Sequence, residues 1–112
     1  KAGITLEDFT SISSRVNIYS VSDDYSGEYL TNPTIPEYLT NVTAKPVLIK
    51  KHSIIGPGSI ILPGVIIGEG AAVGTLSVVN QSLDPWKIYM GVPCRQINNR
   101  KQDLLELEKK LP

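Results

Sequence analysis

Few side chains in this sequence could carry out proton transfer or covalent chemistry. There is one histidine, His52, and one cysteine, Cys94. An imidazole with an ordinary pKa near ~6.5 exchanges protons at neutral pH, which makes His52 a candidate general base. The segment Tyr19-Ser-Val-Ser-Asp23-Asp24-Tyr25-Ser-Gly-Glu28 carries the carboxylates Asp23, Asp24 and Glu28. A carboxylate with an ordinary pKa near ~4 is a weaker base than imidazole, although burial can raise it. Asp23 and Asp24 are also common turn formers that bond to nearby backbone. One His and one Cys cannot build a zinc centre, so no metal is expected. Cys94 has no partner for an internal disulfide, which fits a reducing, cytoplasmic setting.

These groups must be held by whatever the rest of the chain builds, and the rest is repetitive. Six consecutive six-residue blocks begin at Ile49, Ile55, Ile61, Ile67, Val73 and Val79. Ser, Val or Ala fills the fifth place in all but the last, which has Leu83. The fifth residue points inward, the sixth outward and the next first residue inward, the alternation of a pleated strand. Places two to four form a corner. Gly56, Gly58, Gly64, Gly68, Gly70 and Gly74 fall there, where positive φ angles and tight turning are expected. This is the hexapeptide pattern of a parallel β-helix, in which three blocks close an 18-residue coil and stacking of coils supplies the core.

The same period recurs upstream in another phase, at Leu6, Ile12 and Ile18, with Thr10 and Val16 at fifth places. The separation of Ile18 from Ile49 is no multiple of six. The break predicts a loop over 19–46 that replaces a three-residue corner. Loops of this length inside a compact repeat are either functional or disordered. Tyr19, Tyr25 and Tyr29 lie in it and could stack on a ligand or pin the loop to the wall. Residues 1–5 read as the end of an incomplete block, so the chain is expected to be a fragment or processed product. Residues 1–97 are thus read as one β-helix domain, truncated at its N-terminal end. Residues 85–97 are expected to leave the repeat. The remaining 98–112 should form a C-terminal helix over 100–111, with Leu104, Leu107 and Leu111 on one face and a Glu106–Lys110 pair.

Composition narrows the partners. Eleven basic and eleven acidic residues cancel, so no basic field points to nucleic acid. No apolar run is long enough to span a bilayer, so no membrane insertion is expected. The outward places hold Ile54, Ile60, Ile66, Ala72 and Val78. An 18-residue coil stacks Ile60 beside Val78 and Ile54 beside Ala72. Apolar ladders of this kind predict a cyclic homo-oligomer.

With the hexapeptides, the stretch Ile60-Ile-Leu-Pro-Gly-Val-Ile-Ile-Gly-Glu-Gly-Ala and the tail Gly91-Val-Pro-Cys-Arg, the chain resembles the left-handed β-helix acyltransferases. The similarity is to the galactoside, maltose and polysaccharide O-acetyltransferase branch and runs from about Ile4 to Ile97. It implies an all-β, left-handed parallel β-helix and a homotrimer whose active sites lie in clefts between protomers. Acetyl-CoA as co-substrate would lie along the helix. Its pantetheine arm would meet corner groups near Gly56, Pro57, Thr75, Asn80 and Gln81, and its phosphates would meet Arg95 and Arg100. Those corners would turn the chain in any case, and the arginines could be surface charges.

The resemblance also implies a loop histidine as general base, and this loop has none. Asp23 or Asp24 could serve instead. Alternatively His52, at the fourth place of its block, could meet a neighbouring protomer's loop with Asp24 orienting it. His52 could equally be a packed corner residue. The reading is acetyl-CoA-dependent O-acetylation of a sugar or nucleotide-sugar acceptor, by direct attack of a hydroxyl on the thioester. The alternatives are N-acetylation of an amino sugar and a non-catalytic trimeric β-helix module.

Overall fold

The structure, a computed structural model, describes residues 2–112. Short strands dominate. In chain order they are β1 (Ile4–Leu6), β2 (Ser11–Ile12), β3 (Asn17–Ile18), β4 (Val21–Ser22), β5 (Thr43–Ala44), β6 (Val47–Ile49), β7 (Ile54–Ile55), β8 (Ile60–Ile61) and β9 (Ile66–Ile67). Then follow β10 (Ala72–Val73), β11 (Val78–Val79), β12 (Lys87–Gly91), β13 (Cys94–Asn99) and one short helix, α1 (Leu104–Glu108). They wind into a left-handed parallel β-helix.

Three parallel sheets form the faces of the prism. The first is β1-β6-β9, extended by a bridge from Ile67 to Leu83. The second stacks β2, β7, β10 and β12, and the third stacks β3, β8 and β11. Ile54 pairs with Ala72 and Ile60 with Val78, as the 18-residue coil requires. Ile4 pairs with Val47, well beyond the reach of one regular coil, so the first coil carries the whole insertion. The strands on either side of the loop thus stack as if the loop were an ordinary corner, which is what the phase break requires.

Inward residues make a dry core. Ile49, Ile55, Ile61, Ile67 and Val79 are fully buried. Removing each isoleucine side chain from water is worth about 2–3 kcal/mol. The small fifth places are buried too, and their hydroxyls are satisfied by neighbouring coils. Ser59 Oγ donates to the Gly74 carbonyl (3.0 Å) and accepts from the Ser77 amide (3.2 Å). Ser77 Oγ in turn accepts from the Gly91 amide at 3.1 Å, so a ladder of hydroxyls stitches three coils. A buried amide left without a partner would be costly, which explains small hydroxylated residues here.

The corner glycines divide into two kinds. Only the fourth-place Gly58, Gly64 and Gly70 take positive φ, at 76°, 82° and 71°. The second-place Gly56, Gly68 and Gly74 do not need it; they are required for close approach. A Cβ on Gly68 would stand 2.6 Å from the Leu83 carbonyl oxygen and 2.7 Å from the Pro85 nitrogen. Non-glycine residues also occupy the left-handed region, among them Phe9, His52, Leu76 and Trp86. Leu76 covers the empty side of Gly58, and the Trp86 indole covers Gly70. A bulky residue in one coil thus fills the slot left by a glycine in the coil before it.

Two features at the C-terminal end differ from the sequence reading. Lys87–Gly91 does not leave the helix: β12 adds to the second face, with Ala72 opposite Ile88 and Val73 opposite Tyr89. This step falls two places short of a full coil, which hides the strand from a six-residue period. Tyr89 is buried at the inward place and its Oη accepts from the Asp84 amide at 3.0 Å. The chain then reverses into β13, antiparallel to β12. The helix is also shorter than 100–111, because Arg100 to Gln102 remain extended after β13. Its surface ion pair is Glu106–Lys109 (3.1 Å), one residue short of the Glu106–Lys110 spacing. Among the described residues no helix is long and apolar enough to cross a membrane.

Candidate active site

The 19–46 loop leaves the corner between the third and first faces, and its root is braced. β4 and β5 pair antiparallel, with Val21 opposite Ala44 and Ser22 opposite Thr43. The Lys45 amide donates to the Ser20 carbonyl at 2.9 Å. Farther out, the Leu30 amide donates to the Leu39 carbonyl (2.8 Å), and one 3₁₀ turn spans Glu37–Leu39. The acidic segment therefore sits on a held scaffold.

Asp24 is the most constrained group in that segment. Its Oδ1 accepts from the Ser26 amide (2.8 Å) and from Ser26 Oγ (2.5 Å), closing a local turn. Its Oδ2 accepts from Asn41 Nδ2 at 2.7 Å, across the loop. The Ser26 hydroxyl, followed by Asn41 and the Ser26 amide, holds this carboxyl below the usual range. Asp24 is therefore an ionised anion at neutral pH. A depression of about 440 Å³ opens beside it, lined by Asp23, Asp24, Tyr25, Gly27, Tyr29 and Thr31. An adjoining one of about 370 Å³ shares Asp23 and Tyr25 and reaches Tyr19, Leu62 and Pro63 on the helix wall. Tyr25 is 92% exposed, so its ring is displayed and does not pin the loop.

His52 belongs to a different corner, between the first and second faces. It is 7% exposed, with φ of 65°. Phe9 stacks on its ring at 5.1 Å, and Trp86 lies 6.3 Å away on the other side of Gly70. Its Nε2 meets Glu108 Oε1 at 2.6 Å, while Glu108 Oε2 meets Lys51 Nζ at 3.2 Å. His52 and Asp24 are not brought together within the chain: each has its own partners. The orienting carboxylate for His52 is Glu108, from the C-terminal helix.

The residues proposed to line a CoA track fall at several places. Gly56, Pro57 and Thr75 share the corner between the second and third faces, where Gly56 lies tight against Thr75. Asn80 and Gln81 lie at the next corner, so the two groups flank the third face. Arg95 is exposed on β13, opposite Met90. Arg100 is committed elsewhere. Its Nη1 donates to the carbonyls of His52 (2.7 Å) and Gly70 (2.9 Å), and its guanidinium lies over Trp86 at 6.0 Å. Cys94 packs against the core, and burial pushes its thiol up from the usual value.

Sequence reasoning missed Asn41 and Glu108. Both act on residues far away in the chain, 17 and 56 positions respectively. Only the Asp24-Tyr-Ser26 turn carries a local signal that could have been read in advance.

Residues 46–81 match the family model described as bacterial transferase hexapeptide (six repeats). The chain is 48% identical over 108 residues to a dTDP-4-amino-4,6-dideoxy-D-glucose acyltransferase of Escherichia coli, covering 96% of this chain and 56% of that enzyme. The chain thus spans little more than half the length of that curated relative. Among solved structures it is similar to AntD, an N-acyltransferase from Bacillus cereus, in complex with dTDP and coenzyme A. The TM-score is 0.95 at 51% identity, covering 98% of this chain and 60% of AntD. That AntD structure is an aspartate variant, and a second carries a substitution at a serine ten residues earlier. AntD is also known in complex with 3-hydroxybutyryl-CoA. A galactoside acetyltransferase in complex with coenzyme A matches at TM-score 0.75 and 26% identity, covering 88% of this chain and 46% of that one.

Proposed function

We propose, from the chain's membership of the hexapeptide-repeat acyltransferase family, that the protein moves an acyl group from coenzyme A to the amine of a nucleotide-linked amino sugar. The observation that carries this reading is Asp24: the loop offers an ionised carboxylate where a hydroxyl acceptor would want an imidazole. A sugar hydroxyl needs a base to remove its proton as it attacks. An amine already has a free lone pair once its ammonium form has lost a proton, and a fixed carboxylate can accept a hydrogen bond from the amine N–H and so aim that lone pair. The N-acyl reading is therefore preferred to O-acetylation. The relatives support it: the E. coli enzyme is an acyltransferase of an amino sugar nucleotide, and AntD is an N-acyltransferase.

In this reaction the amine nitrogen attacks the thioester carbonyl, a C–N bond forms, and the C–S bond breaks. The nitrogen loses one proton and the departing sulfur gains one. Asp24 holds the amine against the thioester, which supplies the positioning part of the rate enhancement. Asp23 lines the same depression as a second anion. Gly56, Pro57, Thr75, Asn80 and Gln81 flank the third face as the track for the pantetheine arm. Of Arg95 and Arg100, Arg95 is the one available for phosphate, since Arg100 is engaged by two carbonyls. The donor is acetyl-CoA or a short-chain analogue.

The apolar outward residues support a homotrimer. Ile54 and Ile66 stay 38% and 44% exposed in the single chain.

The test is thiol release from acetyl-CoA and 3-hydroxybutyryl-CoA, with dTDP-amino sugars and their hydroxyl counterparts compared as acceptors. Turnover with the amine, and a product mass shifted by one acyl group, is the expected result. Turnover confined to hydroxyl acceptors would overturn the N-acyl reading, and no turnover with any acceptor would overturn the enzyme reading.

A further inference from the structure

We propose that Asn41 is the positioning residue of Asp24, fixing the one carboxylate oxygen that still has room for a substrate amine. This rests on the reading of Asp24 given above. A carboxylate has about four acceptor sites. Both sites on Oδ1 are taken, by the amide and the hydroxyl of Ser26. One site on Oδ2 is taken by Asn41 Nδ2 at 2.7 Å. The remaining site is therefore on Oδ2, next to the Asn41 amide.

The bond spans the loop. Asp24 follows β4 and Asn41 precedes β5, so one hydrogen bond ties the two limbs just beyond their antiparallel root. Ser26 alone would fix Oδ1 but leave the carboxylate free to pivot about it. Asn41 removes that freedom, which is what a near-attack geometry for the amine requires. Among the described residues no Lys, Arg or His forms an ion pair with Asp24. The titratable neighbours around the depression are Asp23, Tyr25 and Tyr29. Neutral donors hold the anion, so its free site stays available to accept a hydrogen bond from the acceptor amine.

The experiment pairs a direct titration with kinetics. Carbon-detected NMR follows the Asp24 carboxyl in the wild type and in Asn41→Ala, and pH–rate profiles are recorded with acyl-CoA and an amino-sugar acceptor. Expected are an Asp24 titration moved upward, an acid limb moved in the same direction, and kcat lowered about ten- to hundredfold with the KM for acyl-CoA unchanged. Asn41→Ser, which keeps a donor, should recover part of the loss and serves if Asn41→Ala does not fold. An unmoved Asp24 titration with kcat within about twofold of wild type would overturn the role of Asn41. Asp24→Asn in the kinetic assay separates the two ideas: full turnover there rejects the catalytic reading of Asp24, while the Asp24 titration in wild type and Asn41→Ala still reports on Asn41.

Discussion

His52 Nε2 lies 2.6 Å from Glu108 Oε1, a hydrogen bond between a β-helix corner and the last helix, 56 positions apart in sequence. It fastens the C-terminal helix to the β-helix wall. Around it Phe9, Trp86 and the Arg100 guanidinium close a column that runs down one edge of the prism.

Replacing His52 with Ala should therefore cost stability more than turnover. The substitution removes the stack on Phe9 and the bond to Glu108 and keeps the left-handed backbone, for a loss of about 1–3 kcal/mol in chemical denaturation. Acyl transfer per folded molecule should stay within about threefold of wild type. A loss of about a hundredfold or more would restore His52 as the general base.

The same contact sets a pH response. The hydrogen bond from His52, then that from Lys51, hold the Glu108 carboxyl below its usual value. A depressed carboxylate contributes stability above its unfolded pKa, near ~4.5, and loses it as pH falls through the lower folded value. The C-terminal segment should thus loosen on acidification below about pH 4.5. Trp86, the only tryptophan, lies 6.3 Å from His52 and reports the change by fluorescence. Glu108→Gln should remove the acid step; a step of unchanged midpoint in that variant would assign it elsewhere.

A corner glycine and a loop glycine should respond differently to a methyl group. Gly68→Ala drives a Cβ to 2.6 Å from a backbone oxygen, so adjacent coils must part, at about 3 kcal/mol or more. Gly27→Ala meets nothing within 4 Å and has only the φ of 88° against it, about 1 kcal/mol. Thermal unfolding of the two variants tests the ranking.

Ser59→Ala would remove the donor to the Gly74 carbonyl and the acceptor for the Ser77 amide in one step. A buried amide left unpaired costs about 1–3 kcal/mol. Hydrogen exchange should show the Ser77 amide among the most affected. If its protection is unchanged, the hydroxyl ladder is not what holds these coils in register.

Much of the fold was legible because its physics is local and periodic. An isoleucine every sixth place can be buried only if the chain turns between them, so Ile49 to Ile67 announced their faces. The phase break located the loop, since an insertion in a stacked helix must restart the period. β12 was hidden by its shortened step from β10, and the extended run after β13 shortened the helix.

The candidate site was less legible. Asp23 and Asp24 stood out by residue type, but a carboxylate's role depends on how many donors it faces. The sequence by itself determined the coil, the buried isoleucines, the hydroxylated fifth places and the position of the insertion, because each follows from a six-residue period of burial. Only the tertiary structure decided the partners: Asn41 for Asp24, Glu108 for His52, and two backbone carbonyls for Arg100. Those contacts join residues 17 to 56 positions apart. A hydrogen bond depends on distance in space, and no period in the sequence encodes which polar groups the coils and the loop will bring together.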